Sequence, residues 1–152
     1  MFKKELDQII RERDELAAPI LENRTNAENA FGLVLNTLIN IESNLQTKGR
    51  NVLLEQNNLE SKMSISYSGI LEIIFGTIID YSGEDIRIKF ILLREDNEIA
   101  YENNLTYTSG NINEFEAKTI YVNFLDFYKN AEEYYSSGTT VALNIGIPID
   151  EV

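Results

Sequence analysis

The sequence predicts an α+β protein: an N-terminal helical hairpin, then a mostly antiparallel sheet of four to five strands covered by one long helix. Two observations carry that expectation. The hydrophobic period changes from three-and-four spacing to strict alternation near residue 58, which is the change from helix to strand. The composition changes at nearly the same place. Residues 1–62 carry 8 basic and 10 acidic side chains, whereas residues 63–152 carry 5 basic and 15 acidic, so −10 of the −12 net charge lies in the second part. Thirteen of the fifteen aromatic residues also follow residue 62; only Phe2 and Phe31 precede it. The expected organisation is therefore a helical or coiled-coil segment over residues 1–58 and an acidic sheet-plus-helix domain over residues 59–152.

The first helix is expected from about Lys4 to Ala18, where Leu6, Ile9, Ile10, Leu16, Ala17 and Ile20 make one apolar stripe. Pro19 is expected to end or kink it. Thr25-Asn26-Ala27-Glu28 has the pattern of a capping box and marks a second start. From there Ala27, Phe31, Val34, Leu38, Ile41 and Leu45 step by fours and threes until Gly49 offers a stop. This seam serves either as core packing against the sheet or as a dimerising coiled coil. Leu33 and Ile39 lie off it and need separate cover. Residues 51–58 read either as a short helix or as an extended lead-in.

Alternation then begins. Leu59, Ser61, Met63, Ile65 and Tyr67 define a half-buried strand, and residues 71–81 are apolar on both faces, as in an interior strand. Ile86, Ile88, Phe90 and Leu92 line a third strand; Ile99, Tyr101, Asn103, Leu105 and Tyr107 line a fourth. The turns between them are too short for parallel crossovers, so neighbours must be antiparallel. A helix follows from the Asn113-x-x-Glu116 cap to Ser137-Gly138, with Ile120, Phe124, Phe127, Ala131 and Tyr134/Tyr135 facing the core. Tyr121, Val122 and Leu125 fall outside that face and mark a candidate protein interface, together with Leu33 and Ile39. Val141, Leu143, Ile145 and Ile147 alternate as a closing strand or arm ending at Pro148.

The chemistry-bearing residues argue against an enzyme. With no His and no Cys, the chain holds no Ser-His-Asp triad, thiolate nucleophile, thiolate–zinc site or His-ligated haem. Acidic clusters at Asp80/Glu84/Asp85, Glu95/Asp96/Glu98 and Glu132/Glu133 sit at expected turns or helix ends, where carboxylates are ordinarily solvated. The run from Asp80 fails as an EF-hand loop because its sixth position is Asp85 and its twelfth is Ile91. The eight glycines form no phosphate loop. No cofactor or metal is expected. The charge argues against direct nucleic-acid binding, which requires Lys and Arg to neutralise phosphate. Residues 1–21 have no signal-peptide core, and the apolar run at residues 69–79 is too short for a bilayer, so a cytoplasmic location without membrane contact is expected.

The hairpin DIRIKFILLREDNEIAYENNLTYTSG at residues 85–110 and the segment SSGTTVALNIGIP at residues 136–148 resemble the bacterial export chaperone family SecB. In the second stretch, Gly138-Thr139, then Leu143-Asn144 and Pro148, resemble the way that family leaves its main helix. The resemblance spans about 90 residues from Leu59 and implies tetrameric assembly and grooves for client chains; it carries over no binding residue. Family members begin with strands, where this chain begins with helix.

Three functions follow as expectations. The first is a non-enzymatic, chaperone- or adaptor-like protein that binds another protein and forms a homo-oligomer. The second is an acidic inhibitor that occupies the basic groove of a nucleic-acid-processing protein, with Glu95, Asp96, Glu98 and Glu102 as its partner surface. The third is a coiled-coil structural component built on Val34, Leu38, Ile41 and Leu45.

Overall fold

A computed structural model describes residues 1–137 of the 152-residue chain. The expected closing segment at residues 141–147 lies outside the described residues. The element order is helix α1 (Phe2–Gln46), strands β1 (Asn51–Asn57), β2 (Glu60–Tyr67), β3 (Ile70–Tyr81), β4 (Ile86–Leu93) and β5 (Ile99–Tyr107), a 3-10 turn at Ile112–Glu114, and helices α2 (Ala117–Lys129) and α3 (Ala131–Ser136).

The expected N-terminal hairpin is a single helix of 45 residues. Neither the stop at Pro19 nor the start at Thr25 acts. Pro19 removes one backbone donor, at a cost of about 3 kcal/mol in a helix interior, yet α1 runs through it. The polar segment after it continues the helix because its polar atoms find partners compatible with that geometry. Asn23 is buried and donates from Nδ2 to the carbonyl of Ser82 at 2.9 Å. Thr25 does not cap; its hydroxyl donates back to Leu21 O at 3.3 Å, and Arg24 pairs with Glu28 one turn on. The real stop is the one expected at Gly49, whose φ of +81° suits a residue without Cβ while Arg50 N–H reaches back to Leu45 O at 3.1 Å.

The five strands form one antiparallel sheet in the order β1-β2-β3-β4-β5. The ambiguous residues after Gly49 are its first strand: β1 pairs with β2 from Asn51 opposite Ser66 to Asn57 opposite Glu60, so the sheet begins before residue 58. The doubly apolar β3 is central, as its composition requires. Its inner face presents Ile73, Phe75 and Ile79 to the helices, in register with Met63 and Ile65 of β2 and with Ile88 and Leu92 of β4. The opposite face holds a smaller cluster, Ile74, Ile91 and Leu93. Gly76 makes room for it: a Cβ there would lie 2.8 Å from Ile91 Cγ1.

Ala27, Phe31, Val34, Leu38, Ile41 and Leu45 are all buried against this sheet within one chain. The seam is thus core packing, and the coiled-coil reading that needed it between chains does not hold for these residues. The expected single long covering helix is also corrected. Ile112–Glu114 forms a 3-10 turn, Glu116 rather than Asn113 starts α2, and the helix breaks at Asn130. There the Asn130 side chain donates to both the carbonyl and the carboxylate of Asp126, a local alternative to helix continuation. The sheet's cover is shared by α2 and the C-terminal half of α1. Ile120, Phe124, Phe127 and Ala131 are buried as their spacing predicts, and Phe75 meets Phe124 and Phe127 edge-on at 5.4 Å.

Candidate interaction surfaces

The helix period decides which apolar side chains remain outside. On α2, the positions of Ile120, Phe124 and Phe127 point into the core, and Val122 and Leu125, three apart, share the opposite face. They are 54% and 60% exposed, and half-buried Tyr121 borders them one turn before Leu125. These three expected interface residues do form one surface. Leu33 and Ile39 do not share one face of α1. Leu33 is half-buried in a crevice with Ile112 and Phe115, while exposed Ile39 stands about 120° further around the helix.

The acidic candidates are on and beside the β4–β5 hairpin. Glu95, Asp96 and Glu98 are exposed, and Glu102 on β5 is half-buried. Asp96 also has a local task, since its Oδ1 accepts the Glu98 N–H at 3.0 Å and closes the turn. The adjacent Arg94 guanidinium donates to the carbonyl of Tyr135 at 2.8 Å. On the outer side of the sheet, Ile78, Ile91, Leu93 and Ile99 line a groove of about 480 Å³ rimmed by Glu55 and Lys62.

Two polar clusters hold these surfaces in place. Arg50, just past Gly49, grips Glu72 of β3 with two hydrogen bonds of 3.2 Å, and the Tyr128 hydroxyl donates to the same carboxylate at 2.6 Å. Burial pushes the Glu72 carboxyl up, but the donors Arg50 and Tyr128 outweigh it and hold the group below its ordinary value. Burial and the bond to Glu72 push the Tyr128 phenol up, and the Arg50 guanidinium is raised by its bond to Glu72. Each group is thereby kept in its ordinary neutral-pH form, so the cluster acts as a brace between the α1–β1 junction, β3 and α2. In the second cluster, the Tyr135 hydroxyl sits where β3 and β4 part. It accepts from Ile74 N–H at 3.1 Å and donates to Leu93 O at 2.7 Å, completing a rung that the two backbones do not make directly. Its phenol is raised by burial.

The largest exposed apolar feature was not singled out from the sequence. Residues 1–22 are exposed throughout except for half-buried Ala17, and the helix first meets the body at the β3–β4 turn, where a Cβ on Gly83 would lie 3.4 Å from Ile20 Cγ1. At 1.5 Å per residue, about 30 Å of α1 stands clear of the fold. The signal was present as the Leu6-to-Ile20 stripe, but the expected hairpin gave it an intramolecular partner.

Among the described residues no three His, Cys, Asp or Glu side chains are grouped to hold a metal ion, and no helix is long and apolar enough to cross a membrane. No protein-family model, no curated protein and no solved structure matches the chain.

Proposed function

We propose that this chain is a non-enzymatic protein-binding protein of the chaperone or adaptor type, oligomeric and resident in the cytoplasm, and that the outer face of α2 contacts its protein partner. The observation that carries the reading is the two-sided character of α2. One side is locked into the core through Ile120, Phe124 and Phe127, and the other displays Val122 and Leu125 beside Tyr121. A rigidly held apolar face suits an extended apolar segment of another protein, since little side-chain order is lost on contact. The resemblance of residues 85–110 and 136–148 to SecB supports the same class of partner. The test is suppression of light scattering by reduced insulin B chain. The full chain should suppress it, and V122E/L125E should lose most of that effect while keeping its fold. No suppression by the unaltered chain, or equal suppression by the variant, refutes the reading.

A second reading has its own observation. Glu95, Asp96 and Glu98 stand exposed together at the turn between β4 and β5. An acidic inhibitor would set this turn and Glu102 into the basic groove of a nucleic-acid-processing protein. Capture of a basic nuclease should then weaken with added salt and with competing DNA; capture insensitive to both rules it out.

A further inference from the structure

Residues 2–22 of α1 carry an apolar seam that, among the described residues, meets the body only at its end, where Ile20 touches the β3–β4 turn at Gly83. Phe2, Leu6, Ile9, Leu16 and Ile20 recur at alternating spacings of four and three, with Arg13 completing the pattern, and the five apolar members are between 40% and 77% exposed. This is a heptad seam nearly three repeats long. The described chain ends at the far side of the body: Ser137 follows α3, which is fastened through Tyr135 to Leu93 at one end of β4, whereas the arm leaves near Ser82 and Gly83 beyond the other end.

We infer that this arm pairs with the same arm of a second copy, antiparallel, to make a two-fold symmetric dimer. The choice of occupant and direction rests on charge and register. Residues 2–11 of the arm carry Lys3, Lys4 and Arg11 against Glu5 and Asp7, a net of +1, whereas residues 12–22 carry Arg13 against Glu12, Asp14, Glu15 and Glu22, a net of −3. Antiparallel pairing lays the basic end along the acidic end. Parallel pairing stacks two Arg13 side chains at one level of the seam. The antiparallel register is also self-consistent. With Leu6 opposite Leu16, Phe2 falls opposite Ile20 and Ile9 opposite Arg13, so every seam position meets another seam position, as a two-fold interface requires. Arg13 lays its methylene stem on Ile9 and keeps its guanidinium at the solvated margin.

The sequence contains no cysteine, which makes the test direct. Native mass and sedimentation equilibrium of the full chain should show a dimer. L6E/L16E, which sets glutamates opposite one another across the seam, should raise the dimer Kd by about 100-fold or more, while near-ultraviolet circular dichroism of the body's tyrosines stays unchanged. Mixed L6C and L16C proteins should form the heterodisulfide faster than either forms its homodisulfide. A monomeric wild type, a dimer indifferent to L6E/L16E, or preferred homodisulfides would each overturn the inference.

Discussion

Leu16 and Leu38 stand on one helix, 22 residues apart, which turns them only about 40° from each other around its axis. Leu38 is fully buried and Leu16 is 77% exposed. The two halves of α1 thus carry comparable apolar stripes and meet different surroundings: from Asn23 onward the stripe lies on the sheet, and before it the stripe lies in solvent. Amphipathic spacing encodes a face that needs cover, and the cover itself is decided elsewhere in the chain. For the second half it is the sheet face built by Met63, Ile73, Phe75 and Ile88. For the first half, the cover we infer is the same arm of a second copy.

The sharpest way to break this contrast is to truncate both leucines. Leu38→Ala should cost about 2–5 kcal/mol in chemical denaturation, the range for a buried leucine left with a cavity. Leu16→Ala should move the stability of dilute protein by less than about 0.5 kcal/mol. Equal losses would mean that the arm is part of the core. The brace at the end of the buried half gives a smaller effect. Glu72→Gln should cost about 1–2 kcal/mol at neutral pH, discounted for partial exposure. The folded Glu72 carboxyl is held below its unfolded value, so its contribution is present above about pH 4.3 and lost as pH falls through the folded value. Acid titration of stability should therefore be shallower in E72Q than in the wild type, and an unchanged slope would remove Glu72 from the brace. The smallest effect belongs to the junction. Pro19→Ala restores one backbone donor, and hydrogen exchange of the amides around residue 19 should slow several-fold with little change in the body; faster exchange would show that proline fits the helix better than alanine there.

Much of the sheet was legible because alternation survives short turns: the strands at Met63 and Ile65 and at Ile88 and Phe90 fall where period two places them, whereas in β5 a register shift opposite Leu92 and Leu93 puts Ile99 on the outer face, away from the expected line with Tyr101. Gly49 was legible for a related reason, as a left-handed stop has few substitutes. Pro19 and Thr25-x-x-Glu28 misled because local signals state what a segment permits. Whether a helix continues is settled by long-range partners such as the Ser82 carbonyl on Asn23, which no local window contains. Asn130 is the converse case, a break made by a side chain competing inside an otherwise apolar period. Among the site residues, Val122 and Leu125 were legible as off-face positions on a well-marked helix. Leu33 and Ile39 looked equivalent until the turn at Ile112–Glu114 covered one and not the other.

An uninterrupted helix also transmits phase. Because α1 passes through Pro19 and Asn23 without a joint, the direction in which Leu16 points is fixed by how Leu38 is seated on the sheet, about 33 Å away along the axis. Seven residues inserted between them would lengthen the arm by about 10 Å and turn its apolar face by only about 20°. Two inserted residues would lengthen it by about 3 Å and swing that face by about 200°, presenting charge where the seam had been. The body of this protein therefore aims its arm as well as carrying it.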